Sequence, residues 1–360
     1  MKHKIYSDFL ALVRLGLGIP CDFQSASIDW NGVKALAERQ GLSEIVLDGI
    51  ERLKNTNANL NLNQELMLEW IGGTLQNESI YENQQKAAKR MAGVFQNNDI
   101  RTYVLKGVVV AECYPKPNHR ASVDMDCFLL PSVGRDFNAW ELGNQLMELE
   151  HFHVDRSYYK NSTIFLPGLT VENHRFMTPF RGNKRMKNLE IMLQSLFEDD
   201  KGTNMIDNTC LYRPPVMVTA LFLIEHAYSH FLSEGLTWKH VLDWAMYRKK
   251  HQNEIDWYDF NALIEEYGFK KFFESYNRLG AFLLGDVVEA DLTKLDKKML
   301  SDVWDDLDLH ETALGIRGKL ALAGATWRAR WKYHYFSELS MIRDLWIHIK
   351  GFLFIKNPQL

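Results

Sequence analysis

The sequence predicts an α+β chain, a small mixed sheet set between two helical flanks. Three observations lead there. Apolar residues recur at helical spacing as far as about residue 98. Between Thr102 and Phe176, short apolar runs alternate with turns, first as strand and helix in alternation and then as strands in succession. After Pro214-Pro215 the helical spacing returns. The expected division is 1–98, 99–212 and 213–360, in keeping with two or three domains for 360 residues. With 46% apolar and 24% charged residues, the chain can bury a sizeable core. Its net charge of −4 gives no support to broad nucleic-acid binding, which shows as a basic excess.

Taken in order, the first stretch, MKHKIYSDFLALVRLGLGIP, has a basic start and an apolar run broken by Asp8 and Arg14. It reads as an amphipathic helix with Phe9, Leu10, Val13 and Leu17 on one face, not as a secretion signal. Trp30, Val33, Leu36 and Ala37 make a second helix that Gly41 stops, and Ser43 with Glu44 opens a third over Ile45–Leu53. Asn55–Asn63 is a loop, 64–97 a long helix, and Asn97-Asn98-Asp99 its closing turn. Strands are expected at Thr102–Leu105, Asp124–Leu130, His151–Tyr159, Ser162–Leu166 and Thr170–Phe176, with helices at Gly107–Cys113 and Phe137–Leu149. Arg181–Lys187 reads as a basic loop. Helices follow at Val216–Leu232, Lys239–Lys250, Trp257–Tyr267 and on to the end. No run of about 18 uncharged apolar residues suggests a membrane span. Cys21, Cys113, Cys127 and Cys210 are far apart and form no C-x-x-C pair, so reduced thiols and a cytoplasmic setting are expected.

The chemistry concentrates in Leu105–Leu130, LKGVVVAECYPKPNHRASVDMDCFLL. Residues two apart on a strand share a face, so Asp124 and Asp126 project together while Val123, Met125 and Cys127 are free to be buried. Paired carboxylates repel unless a cation lies between them, and oxygen-only ligands favour a hard divalent ion such as Mg²⁺. D-x-D by itself also fits an exposed strand end. Its context here adds weight, because an upstream strand ends in Lys106-Gly107. A glycine after a strand lets backbone N–H groups approach phosphate, and Lys106 adds a point charge.

The pattern L-K-G, then Y-P, then R-x-S-x-D-x-D followed by apolar residues resembles a bacterial group of nucleotidyltransferases in the polymerase-beta-like superfamily. Gly107 matches the superfamily's glycine, and Asp124 and Asp126 its acid pair. Lys106-Gly107 stands where many members have Gly-Ser, and the interval from Gly107 to Asp124 is longer than usual. Both departures are typical of the bacterial group. The resemblance calls for a third carboxylate on a later strand, and Glu172 in L-T-V-E-N-H-R-F fits, with His174 two residues on; Asp155 is the rival. WNGVKALAERQGLSEIVLDGI and HAYSHFLSEGLTWKHVLDWAMYRKK, with Leu242-Asp243, resemble the group's flanking helices, so the likeness spans about 30 to 260.

What the resemblance implies is two-metal transfer of a nucleoside monophosphate from an NTP to an acceptor hydroxyl, with pyrophosphate released. Asp124, Asp126 and Glu172 would bind Mg²⁺ or Mn²⁺, and Lys106, Gly107, Arg120 and Ser122 would contact the nucleotide. His174, His226, His230 and Asp243 would line the cleft. His226 and His230 have metal-ligand spacing on a helix, but Ala227 replaces the glutamate of H-E-x-x-H and no third ligand is apparent. Arg175, Arg181, Lys184, Arg185 and Lys187 form a basic cluster that suits a phosphate-bearing acceptor or a solvated loop. The stretch TWRARWKYHYFSELSMIRDLWIHIKGFLF suits burial against other helices, or peripheral contact with an anionic membrane. The acceptor, a small molecule, sugar, protein or RNA end, is not named by the sequence. The alternative is a fold relative without transfer activity that serves as a binding or scaffold protein, which the missing Gly-Ser pair favours. A kinase of the aminoglycoside type lacks its H-x-D-x-x-x-x-N loop here.

Overall fold

A computed structural model describes residues 2–21, 23, 28–56, 60–180, 182–198, 202, 204–207, 209–233, 235–305 and 329–354. Four helices come first: α1 (Lys2–Gly16), α2 (Trp30–Gln40), α3 (Ser43–Thr56) and α4 (Gln64–Gln96). Asp29 caps α2 by accepting from the Gly32 N–H, and Asn63 caps α4 by accepting from Glu65. Gly41 closes α2 at φ 67°, the left-handed conformation that glycine adopts without a Cβ penalty. This is the stop expected from the sequence.

The sheet region follows: β1 (Ile100–Val104), α5 (Val108–Ala111), β2 (Asp124–Pro131), α6 (Ala139–Leu149), β3 (His153–Asp155), β4 (Asn161–Leu166), β5 (Leu169–His174), α7 (Lys184–Ser195) and β6 (Leu211–Tyr212). The six strands run in the order β3-β4-β5-β2-β1-β6. The β1–β2 pair and the β3–β4–β5 meander are antiparallel, whereas β2–β5 and β1–β6 are parallel. The mixed sheet between helical flanks is therefore observed. One face, carrying Cys127, Leu129 and Val171, is covered by α4 and α6. Below α6, the Asn144 side-chain oxygen accepts from Ser162 Oγ at 2.6 Å and from Asn173 Nδ2 at 3.0 Å. That buried oxygen is thus satisfied, while Asn144 Nδ2 and Asn173 Oδ1 find no partner among the described residues.

The remaining helices are α8 (Val216–Ser233), α9 (Trp238–His251), α10 (Trp257–Glu266), α11 (Lys270–Leu284), α12 (Lys294–Asp305), α13 (Arg330–Phe336) and α14 (Met341–Phe354). By length and composition α8 is long and apolar enough to cross a membrane. Here Phe222, Ile224, Ala227 and Phe231 are buried, and it serves as a core helix.

Several expectations change. The basic Arg181–Lys187 stretch is no loop from residue 184 onward: Asn183 accepts from the Arg185 and Met186 N–H groups and starts α7, which buries Leu189, Glu190 and Leu193. Arg181 lies outside the described residues. The predicted strand His151–Tyr159 is cut to three residues, because the Asp155 carboxylate turns the chain by accepting from the Ser157 N–H at 2.8 Å. The short β6 was not foreseen; it is held by its parallel pairing with β1. Val123 is 80% exposed, since pairing of β2 begins only at Asp124. The aromatic C-terminal stretch divides: Phe336 packs on Phe231 with ring centroids 5.2 Å apart, while Ile342, Leu345 and Trp346 of α14 are exposed. Thr326, Trp327, Arg328 and the last six residues are outside the described residues.

A buried ionic clasp joins the N-terminal helices to the turn before β2. His119 Nδ1 donates to Asp48 Oδ2 at 2.7 Å, and Nε2 donates to Glu78 Oε1 at 2.9 Å. Lys116 completes it on Asp48. Burial opposes the imidazolium, but Asp48 and Glu78 prevail and raise the His119 pKa. Burial also opposes the Asp48 carboxylate, which His119 and Lys116 hold below its ordinary range. The histidine's contribution is complete below its unfolded value of about 6.5 and is lost as pH rises through the higher folded value. The Asp48 contribution persists until strongly acid pH. Thermal unfolding followed from pH 6 to pH 9 is expected to show a loss on the order of 1 kcal/mol that His119→Gln flattens, the partial exposure of Glu78 and Lys116 limiting its size. An unchanged slope in the variant removes the clasp from the account.

Candidate active site

Parallel pairing of β2 with β5 builds the site. Its register sets Asp124 opposite Thr170, Asp126 opposite Glu172 and Phe128 opposite His174. Cross-strand partners point to the same side, so Asp124, Asp126, Glu172 and His174 share the face turned away from α4 and α6. Asp155 is set against Thr163, which in turn faces Glu172. It therefore lies two strand spacings, about 10 Å, from Glu172 and further from the acid pair. The register brings Glu172 to Asp126 and leaves Asp155 out.

His174 sits between the acids. It is buried beneath Phe222 of α8, with ring centroids 5.8 Å apart and nearly perpendicular. Its Nδ1 donates to the Phe176 carbonyl at 3.2 Å. Its Nε2 donates to Asp126 Oδ1 at 2.9 Å and lies 3.5 Å from Glu172 Oε2. Burial lowers the imidazolium's pKa, but the two carboxylates outweigh it and raise the value. Burial likewise works against the Asp126 carboxylate, and the bond from His174 with the charges of Lys106 and Lys160 holds it well below the ordinary range. Asp124 behaves oppositely. The surrounding protein and the neighbouring Asp126 charge push its carboxyl upward, against the pull of Lys106. The two acids of the pair are thus pushed in opposite directions, Asp126 toward its ionised form and Asp124 toward its protonated form. Ligand atoms of Asp126, Glu172 and His174 lie within 4.8 Å of one another. With both ring nitrogens of His174 donating, the oxygens are the atoms left to hold a metal, and a hard ion suits them.

Three lysines face these acids. Lys106 and Lys160 act electrostatically on Asp126, and Lys106 and Lys239 on Asp124. Among the described residues none of the three forms an ion pair with a carboxylate. Lys106 instead donates to His226 Nε2 at 2.9 Å. The adjoining Gly107 holds φ 63° and ψ −119°, a conformation closed to side-chain-bearing residues, and opens α5.

Arg120, expected to touch the nucleotide, is committed elsewhere. Its Nε and Nη2 donate to Asp243 Oδ1 and Oδ2, both at 2.7 Å, and both residues are buried. Tyr114 donates to the same carboxylate at 2.8 Å, and Arg120 Nη1 reaches the Gly107 carbonyl at 3.4 Å. Asp243, expected beside His226 and His230, therefore ties α9 to the Gly107 turn. Ser122 donates to the Asp124 carbonyl at 2.9 Å and shapes the approach to β2. The basic cluster does not converge: Arg175 lies over the Trp140 ring and Arg185 pairs with Glu338.

The histidine missing from the sequence reading is His240, in the first turn of α9. With His226 and His230 it places three ring nitrogens within 4.8 Å. Two lone pairs of that set are already used, since Lys106 donates to His226 and the Thr237 N–H donates to His240 Nδ1 at 3.1 Å. No sequence spacing could have shown this, because α8 and α9 meet only in the folded chain. Larger surface depressions, beside Trp331 and Ile342 and between Met91 and Met147, lie away from the carboxylates. The site is set by chemistry, not by depth.

A model of a family described as uncharacterised nucleotidyltransferase matches residues 26–285. No curated protein and no solved structure matches the chain.

The Arg120–Asp243 pair makes a stability prediction. Asp243→Ala leaves the guanidinium buried and uncompensated, which costs about 3–5 kcal/mol. Urea unfolding of Asp243→Ala, and of Arg120→Met with Asp243→Leu together, is expected to show most of that loss restored in the double variant. If Asp243→Ala unfolds like the parent chain, the pair is not structural.

Proposed function

The chain belongs to this nucleotidyltransferase family, and from that we propose that it moves a nucleoside monophosphate from an NTP to an acceptor hydroxyl, releasing pyrophosphate. The observation that carries this reading is charge held apart. Asp124, Asp126 and Glu172 face Lys106, Lys160 and Lys239 with no ion pair between the two groups. Opposite charges this near collapse onto one another unless the fold reserves the space, and a cation with a polyphosphate fills such a space. We treat 99–212 as the catalytic unit and the helical regions 1–98 and 213–360 as its walls.

The donor set fits Mg²⁺ or Mn²⁺. Asp124 is exposed and its side chain accepts no hydrogen bond among the described residues, Glu172 is half-exposed, and Asp126 keeps its second oxygen. When bound, a divalent ion supplies charge neutralisation for the phosphates and makes the acceptor hydroxyl easier to deprotonate. The chain's own residues do the rest. His174 fixes the Asp126 carboxylate in one orientation and keeps it ionised. Lys106 and Lys160 offset charge that builds on the leaving oxygens. The Gly107 turn lets backbone approach the phosphates at the start of α5. The acceptor is a small molecule, sugar, protein hydroxyl or RNA end. Cys113 and Cys127, both buried and in no disulfide, fit the reducing, cytoplasmic setting proposed for the chain. The second reading, a binding protein without turnover, draws on Lys106-Gly107 standing in place of Gly-Ser.

Labelled NTPs separate these readings. Transfer of the α-phosphate with release of pyrophosphate is expected, and transfer of the γ-phosphate would make the chain a kinase. Asp124→Asn is expected to weaken Mn²⁺ binding, measured by titration calorimetry, by about tenfold or more while leaving the melting temperature unchanged or slightly raised, because it removes repulsion from Asp126. Equal Mn²⁺ affinity in this variant would falsify the metal assignment.

A further inference from the structure

Lys239 is poorly explained by the protein alone. It stands in the first turn of α9, so close to Gly41 that a Cβ there would lie 3.2 Å from its Cδ. The residue is half-buried and makes neither a hydrogen bond nor an ion pair among the described residues. Burial, with the charge of Arg120 adding to it, draws its pKa down to about 8. Asp243, a nearby acid, is already occupied by Arg120 and Tyr114. A desolvated ammonium with no counter-ion is costly unless an anion completes it.

Two neighbours point the same way. An ammonium only donates, so its bond to His226 Nε2 at 2.9 Å fixes the Lys106 head beside α8 and makes that ring nitrogen an acceptor. In α9, His240 Nδ1 accepts from the Thr237 N–H at 3.1 Å, which leaves the proton of the neutral ring on Nε2. The His240 ring lies 5.0 Å from that of His230 and 6.4 Å from that of His226. Lys106, Lys239 and His240 thus bring N–H donors to one corner, each near enough to feel the charge of the others.

We propose that Lys106, Lys239 and His240 form an oxyanion subsite that takes the terminal phosphates of the nucleotide, and pyrophosphate after transfer, without needing the metal. This rests on the transferase reading above and assigns its leaving group a place. The alternative use of the same corner, a transition-metal site on His226, His230 and His240, requires lone pairs that Lys106 and Thr237 already hold.

Titration calorimetry of the full chain in EDTA tests it, with pyrophosphate and tripolyphosphate as probes and glycerol phosphate as a monoester control. Both polyphosphates are expected to bind. Lys239→Met weakens them by about tenfold or more, Lys239→Arg keeps most of the affinity, and Asp124→Asn does not weaken them. Should Lys239→Met unfold the chain, the comparison of Lys239→Arg with His240→Asn carries the test. Unchanged polyphosphate affinity in a folded Lys239→Met overturns the subsite. So does binding of the monoester alone, which would make the corner an acceptor-phosphate site, or stoichiometric Zn²⁺ that His240→Asn abolishes. Polyphosphate binding without any nucleotidyl transfer sinks the enzyme reading and leaves the subsite; transfer with an unchanged KM for NTP in Lys239→Met does the reverse.

Discussion

The parallel pairing of β2 with β5 is the constraint on which the rest depends. It sets Asp126 directly across from Glu172 and brings His174 alongside, so that like charges are forced together. Left alone, that register would be repulsive. The buried imidazolium between Asp126 and Glu172 offsets the repulsion and keeps Asp126 ionised, at the cost of burying a charged ring. Asp124, at the strand's exposed start, has no such partner, and burial with the Asp126 charge pushes its carboxyl upward against Lys106 and Lys239. An acid pair in which one member is pinned and the other is not is the arrangement on which the proposed cation site rests.

The second tie reaches outward from the sheet. Arg120 and Asp243, both buried, connect the turn before β2 to α9 and touch the carbonyl of Gly107. A buried bidentate pair contributes little net stability relative to apolar side chains, but it tolerates no loss of one partner. Its consequence here is positional. It fixes α9, and with it Lys239 and His240, relative to the Gly107 turn and to Lys106. The cationic wall and the acidic wall are therefore held at a set separation by an interaction that belongs to neither.

The nucleotidyltransferase family match covers residues 26–285, which takes in α2 to α11. That span includes the helices on both sides of the sheet, so the family match is not confined to the strands that carry the acids. The helices after α11 lie beyond the match. Their aromatic residues partly close over α8, through Phe336 on Phe231 and Trp331 on Phe231.

Alternation along one strand was enough to pair Asp124 with Asp126, and the apolar spacing was enough to find the four leading helices and the Gly41 stop, because these are local periodicities. Glu172 was legible only as a later acid on a strand, through a resemblance; the register that opposes it to Asp126, and sets Asp155 aside, belongs to the sheet. Helix α7 was hidden by a basic composition that its Asn183 cap and buried Leu189 override. Arg120 shows the limit most clearly. An arginine beside an acid pair suggests phosphate, yet its partner lies more than a hundred residues away on α9. His240 and Lys239 were silent for the same reason. Sequence by itself determined which residues carry charge and how neighbours along the chain are oriented. Which charges meet was decided only when β5 paired with β2 and α9 closed over the Gly107 turn, since Coulomb interactions follow distance in space and not separation along the chain.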